Sequence, residues 1–376
     1  MSNVFDKVRL RANPAYRAVA WNRLASEARQ ALDVDTDGYG VLMPLEGQDL
    51  PVVAIDRDTA LLFLSLQEPG PAPDFASAMA GGDFDRVLRR LILDSVLQME
   101  QADTFISGPE ACARLGMASG AAPGSLAQLS IDALNYGAAL IHADAATLAQ
   151  KLYNYNRRPM TAALRRRLPG KAACLSFLGL GGERDAPGAI ARDWSRGDDD
   201  SPWLVFTRRR SQRQRTGQSC KLYVGVAFEE LPGCLSALAE GLAAGAALQF
   251  KIGTDLDGLL RPDKLVAYFP GKDTLSAAAQ ALLPILSNRA VHAVPFSAEI
   301  GGSGALSWGM DPAEAWFGDR MSWRQWMCEQ LAAALIAARS SAAGAVAPWQ
   351  FALERLRLEG VNTDTFMPTG HWSGTA

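Results

Sequence analysis

With 376 residues, 48% of them hydrophobic and 20% charged, the chain has the composition of a globular protein with room for two domains, not of a disordered segment. A formal net charge of -3 gives no basis for binding nucleic acid through bulk charge, and three histidines argue against a zinc site. Five scattered cysteines (Cys112, Cys174, Cys220, Cys234, Cys328), none at CxxC spacing, read as reduced thiols of a cytoplasmic protein, and no apolar run is long enough to span a membrane.

The opening stretch MSNVFDKVRLRANPAYRAVAW spreads its charges and lacks an apolar core, so a signal peptide is not expected. PAYRAVAWNRLASEARQAL (14–32) predicts a helix with Pro14 in its first turn. Two strand-like runs follow, YGVLMP and LPVVAIDRDTALLFLSLQ, closed by the turn EPGPAPD. FDRVLRRLILDSVLQME (84–100) predicts a helix, with Val87, Leu88, Leu91, Ile92 and Val96 in one apolar stripe. Shorter helices are expected over 109–116 and 125–150. Residues 1–150 thus read as a mixed, mainly helical N-terminal region with no assigned role. Within it, DVDTDGYGVLMP (33–44) begins like a calcium loop with Asp33, Asp35, Asp37 and Gly38. It places Pro44 where a bidentate glutamate belongs, so an Asx-rich turn is expected and no metal.

Residues 151–200 change character. LYNYNRRPMTAALRRRLPG is basic and aromatic, and GGERDAPGAIARDWSRGDDDSP has the Gly, Asp and Pro content of a linker or a long loop. The boundary is therefore set at 150, with 151–376 as the second domain. There, WLVFTRR and KLYVGVAF predict strands and LPGCLSALAEGLAAG a helix with Pro232 in its first turn. QFKIG and KLVAYF predict strands, TLSAAAQALLPILS a helix capped by Thr274, VHAVPFSAEI a strand, and SWRQWMCEQLAAALIAAR a helix. Strand–helix–strand–strand–helix–strand is the pattern of an α+β domain built on a split βαβ-type antiparallel sheet with helices on one face.

Side chains alternate along a strand. Leu222, Val224, Phe250, Ile252, Leu265 and Ala267 therefore fall on faces opposite Lys221, Tyr223, Lys251, Lys264 and Tyr268. Gathered lysines lower one another's pKa and suit a phosphate or carboxylate. Lysines on a solvent face also occur simply to keep sheet edges apart, and periodicity leaves both readings open. TRRRSQRQR (207–215) reads first as a solvated hairpin loop, with an anion-binding run as the other reading, and YNYNRRP (153–159) equally as a helix-end cluster or a phosphate clamp. GGSGALSWGMDP (301–312) is expected to be a hairpin connection, with an anion nest or a lid as the other reading. Trp308, Trp316, Trp323 and Trp326 are expected mostly as core packing. No serine- or cysteine-nucleophile motif occurs.

CKLYVGV, LQFKIG, RPDKLVAYF, VPFSAEIGGSGALSWGMDP, SWRQWMCEQLAAALIAA and FALERLRLEGVNTD, taken together over roughly residues 150–367, resemble the type III effector-like family of bacterial peptide-modification pathways. This group includes the class V lanthipeptide lyases and is related to the phosphothreonine lyases. The resemblance implies β-elimination of phosphate from phosphoserine or phosphothreonine in a peptide, after a separate kinase, to leave a dehydroamino acid. It implies no cofactor. It places Lys251 as the base and Lys221 as the second lysine, with Tyr223 standing where the family has a histidine acid. Lys264, Arg157, Arg209 and Arg261 are the residues it suggests for holding phosphate. The tyrosine leaves a second expectation beside the first: a non-catalytic protein that binds a peptide or a partner of a modification complex. Binding to nucleic acid or membrane is not expected.

Overall fold

The alternating apolar runs of the C-terminal half pair into a seven-stranded antiparallel sheet in the computed structural model, which describes residues 5, 8–26, 39–79, 83–116, 124–181, 188–197, 202–209, 220–312, 321–340 and 346–369. The chain divides into two compact units. One is Met1–Ser119 with Ala333–Leu358, the other Gly120–Ala332 with Glu359–Ala376. Residues 124–150, grouped by sequence with the N-terminal region, thus lie in the second unit.

In the first unit, β1 (Leu10–Ala12) is followed by β2 (Tyr16–Ala20), β3 (Gly40–Pro44) and β4 (Val53–Ile55). The predicted helix does not begin at Pro14: β2 pairs antiparallel with β3 from Tyr16↔Pro44 to Ala20↔Gly40, and the Tyr16 hydroxyl donates to the Pro51 carbonyl at 2.9 Å. Cross-strand pairing has overridden the helical propensity of an Ala- and Arg-rich run. Residues 27–32 of that segment, and Asp33, Asp35, Asp37 and Gly38, lie outside the described residues. The predicted strand LPVVAIDRDTALLFLSLQ is strand only to Ile55. Asp56 then accepts from the Thr59 amide at 2.7 Å and starts helix α1 (Arg57–Ser65).

Helix α2 (Asp74–Met79) precedes α3 (Phe84–Leu93). Predicted to run to residue 100, α3 instead stops at a turn in which Ser95 takes φ 58. That turn is tied from outside: Asn13 Nδ2 donates to the Ser95 carbonyl at 2.7 Å and Arg355 Nε to Asp94 at 2.5 Å. The rest of the run becomes β5 (Leu97–Gln101), paired with β1 and with β6 (Thr104–Ile106), ahead of α4 (Gly108–Leu115). The region thus combines helices with two three-stranded sheets.

In the second unit come α5 (Ser125–Ala139), α6 (Ala145–Tyr153), α7 (Ala162–Arg167), α8 (Lys171–Phe177), α9 (Gly188–Asp193), β7 (Trp194–Arg196) and β8 (Trp203–Arg208). The stretch read as a linker therefore contains ordered elements. Then follow β9 (Cys220–Val224), α10 (Leu231–Ala244), β10 (Gln249–Gly253), α11 (Leu256–Leu259), β11 (Leu265–Phe269), α12 (Lys272–Leu286), β12 (Ala298–Ile300), β13 (Leu306–Met310) and α13 (Trp323–Ala337), of which the part to Ala332 belongs here. The sheet order is β12-β13-β9-β11-β10-β8-β7, and each pairing is antiparallel. Thr274 does not cap α12. The cap position is Gly271, whose carbonyl accepts from the Thr274 hydroxyl at 2.9 Å. Of VHAVPFSAEI only Ala298–Ile300 is strand. The GGSGALSWGMDP segment is the hairpin connection between β12 and β13.

One face of this sheet is the core. Leu204, Phe206, Leu222, Val224, Phe250, Ile252, Leu265 and Ala267 pack with Leu235, Leu238 and Leu242 of α10 and Leu275, Ala278 and Leu282 of α12. The helices meet where α10 ends at Gly245; a Cβ there would sit 2.3 Å from that of Ala278. Phe250 lies at the centre, stacked on Phe206 and edge-on to Trp194, both at 4.7 Å between centroids. Phe250→Ala is expected to cost about 3–5 kcal/mol, read as a lower urea midpoint by tryptophan fluorescence. All five cysteines are buried and unpaired. Among the described residues, no helix is long and apolar enough to cross a membrane.

Candidate functional site

The opposite face carries the charges. Registers across it set two rows, Gly309–Lys221–Tyr268–Gln249–Thr207 and Ser307–Tyr223–Val266–Lys251–Val205. Tyr223 and Lys251 thus flank Val266, about 10 Å apart at Cα by strand spacing. Lys221 and Lys251 converge on one ring: their Nζ atoms lie 5.4 and 5.8 Å from the Tyr268 centroid. Part of this face is roofed by α13. Gly309 makes that contact, since a Cβ on it would sit 2.3 Å from the Trp323 indole. Trp308, Trp323 and Trp326 are buried, as core packing requires, while Trp316 lies outside the described residues.

Each lysine has its own surroundings. Lys221 Nζ lies 2.6 Å from Asp311 Oδ2, and Asp311 Oδ1 accepts from the Trp323 amide at 2.9 Å, so one carboxylate ties β9 to the start of α13. Lys251 Nζ sits 4.5 Å from the Trp203 ring. Burial, then the charge of Lys221, pushes the Lys251 amine down to about 8. Lys264 does not join them. It is fully buried, and its Nζ donates to the Val226 carbonyl at 2.7 Å and the Pro262 carbonyl at 3.2 Å. Burial pushes it down to about 7. Lys264 is the last residue before β11, so backbone acceptors at the strand end capture its amine.

Tyr223 is 3% exposed and packs with Val266, Tyr268 and Val294. Burial, then the negative charge of Asp311, raises its hydroxyl well above the ordinary tyrosine value. A phenol in that setting keeps its proton and serves as a hydrogen-bond donor more readily than as a proton source.

Beside the lysines lies a buried ionic hub, of which the sequence singles out only Arg261. Asp263, 4% exposed, receives Arg261 Nε at 2.9 Å on Oδ1 and Arg324 Nη1 at 2.8 Å, as an ion pair, on Oδ2. The Tyr153 hydroxyl donates to Asp263 Oδ2 at 3.2 Å and accepts from Arg261 Nη2 at 2.8 Å. Arg324 also donates to the Pro295 and Tyr153 carbonyls, at 3.1 and 2.9 Å. Burial alone would push the Asp263 carboxyl up. Arg324 and Arg261 override it and hold the group well below the usual carboxylate range. The Arg261 guanidinium lies 5.1 Å from the Trp203 ring, which also bears Lys251, and so links the hub to Lys251. Trp203 was passed over because its strand was read for alternation alone. A lone arginine within the apolar start of α13 was the available signal for Arg324.

Of the other phosphate-holding candidates, Arg157 binds the carbonyl and carboxylate of Asp257. Its neighbour Arg158 pairs with Glu229. Arg209 is exposed just beyond β8, with its amide bonded to the Asp193 carbonyl; residues 210–215 lie outside the described residues. Lys221, Lys251, Arg261 and Arg324 set four cations against the carboxylates of Asp263 and Asp311. Two positive charges remain while Lys251 is protonated and one when its amine is neutral, a setting for an anion such as a phosphate ester. Among the described residues, no group of three or more His, Cys, Asp or Glu side chains is arranged to hold a metal ion.

No protein-family model matches the chain, and no curated protein matches it in sequence. Several solved structures show a partial likeness to the chain. The effector protein from Pseudomonas syringae pv. tomato strain DC3000 is 14% identical over 65% of this chain and 98% of its own, at a TM-score of 0.39. The type III effector/phosphothreonine lyase OspF from Shigella flexneri is 15% identical over 31% of this chain and 69% of its own, at 0.27. The VirA (SpvC) phosphothreonine lyase effector of Chromobacterium violaceum is 12% identical over 48% and 86%, at 0.28. These likenesses are distant, and no residue role is carried over from them.

Proposed function

We propose that the protein eliminates phosphate from a phosphorylated serine or threonine of a peptide, leaving a dehydroamino acid, as one step of a cytoplasmic peptide-modification pathway that follows a separate kinase. The observation that carries this reading is the pairing of a half-buried lysine of lowered pKa, Lys251, with a second lysine across one tyrosine ring, beside two arginines. At pH 7 an amine of pKa about 8 is neutral about one time in ten, against roughly one in 2,500 for an ordinary lysine. Lys251 takes the Cα proton. The electron pair forms the Cα–Cβ double bond as the Cβ–O bond breaks, and the phosphate leaves with that oxygen. Lys221 and Arg261 offset its charge, and the Tyr223 hydroxyl supplies a hydrogen bond. Water protonates the departing phosphate, and the step needs no cofactor.

The test is incubation with phosphoserine and phosphothreonine peptides, followed by mass spectrometry. Loss of phosphoric acid is expected, with an unsaturated residue that adds a thiol. Intact phosphopeptides across a broad peptide set would reject the reading. The high pKa and burial of Tyr223 favour a second reading, a binding protein on the same scaffold. Tight binding of unphosphorylated peptide that survives Lys221→Ala with Lys251→Ala, without turnover, would select it.

A further inference from the structure

A cavity of about 650 Å³ opens in the second unit beside the proposed catalytic face. It shares two walls with that face, Tyr153 and Arg261, and Arg261 lies against the same indole as Lys251. Its volume is in the range of small-ligand pockets, about 300–1,000 Å³, which holds an amino-acid residue with its backbone. One side is the small-residue face of α6, Ala145, Ala146 and Ala149. Across from it, α13 contributes Gln325 and Glu329, joined by a hydrogen bond from Gln325 Nε2 to Glu329 Oε1 at 3.1 Å.

The charge in this cavity is set by elimination. Arg261 is ion-paired with Asp263, a carboxylate that it shares with Arg324. Cys328, in the floor, is a buried thiol pushed up to about 12 by burial, then opposed by Arg324, and adds no charge. Glu329 is the remaining charged wall residue, with no ion-pair partner among the described residues. A cavity lined by alanines and by this carboxylate suits a long basic side chain, whose methylenes lie on the alanines and whose head meets the acid.

We infer that this cavity is a specificity subsite for a lysine or arginine flanking the phosphorylated residue, with Glu329 as the group that selects it. The inference rests on the lyase reading above. Its test is kcat/KM for phosphoserine peptides carrying Lys, Ala or Glu at each of the two positions on either side of the phosphoserine. A Lys-over-Ala preference of about fivefold, the scale of a partly exposed ion pair, is expected at one position. Glu329→Gln should bring that ratio to near one, and Glu329→Lys should turn it toward the Glu peptide. Because each readout is a ratio within one variant, partial loss of fold does not imitate it. Turnover indifferent to these positions, or a preference unmoved by both substitutions, would overturn the subsite and leave the lyase reading standing. No release from any peptide would overturn both.

Discussion

Lys251→Ala is expected to lower the rate of phosphate loss by about 10²- to 10⁴-fold, the usual contribution of a positioned general base. The same residue sets the pH dependence. The working form of the amine is neutral, and its pKa is pushed down to about 8 by burial and by Lys221. Log(kcat/KM) should therefore rise with slope one below pH 8 and level off above it. The phosphate of the substrate, with a second pKa near 6, is mostly dianionic above about pH 7, so the limb between there and pH 8 belongs to the amine. Lys221→Gln removes the neighbouring charge that depresses Lys251. It should move the limb to higher pH and weaken substrate binding, a pair of effects that mere loss of fold would not produce. A flat profile between pH 6 and 9 with wild-type protein, or full activity in Lys251→Ala, would remove Lys251 from the role of base.

Asp263→Ala should cost about 3–5 kcal/mol of stability, because it strands the buried Arg324 and leaves Arg261 without its carboxylate. A cycle separates the lost pair from lost packing: Arg324→Met with Asp263→Leu should recover much of the loss in urea, since two apolar side chains need no partner. The pH dependence follows from the direction of the shift. Asp263 is held below its unfolded value of about 3.9. Its contribution is thus fully present above about pH 4 and is lost as pH falls below that, toward the folded value. Wild type should weaken over that acid range more steeply than Asp263→Ala. Equal stability of wild type and Asp263→Ala at pH 7 would mean that the hub does not hold the site together.

The two sets of residues differ in how far sequence reading could reach them. Strand alternation in KLYVGV, LQFKIG and DKLVAYF put Lys221, Tyr223 and Lys251 on one face, because side-chain direction repeats every two residues and needs no tertiary information. It put Lys264 there too, but Lys264 stands outside β11, and two backbone carbonyls bind its amine. Two errors of the first unit share a cause. YRAVA and the end of FDRVLRRLILDSVLQME suit a helix locally and became strands because a partner was present: β3 for the first, β1 and β6 for the second.

By itself, the amino-acid order determined the α+β character of the C-terminal half, its main strands and helices, and the shared face of two lysines. Local periodicity and capping encode those features. Only the tertiary structure decided that Lys251 stands half-buried against Trp203 and Tyr268, and that Asp263, with its near neighbour Arg261, meets Arg324 and Tyr153 from segments far apart in the chain. Burial and through-space charge set the chemistry of an ionisable group, and both depend on neighbours that the linear order does not place beside it.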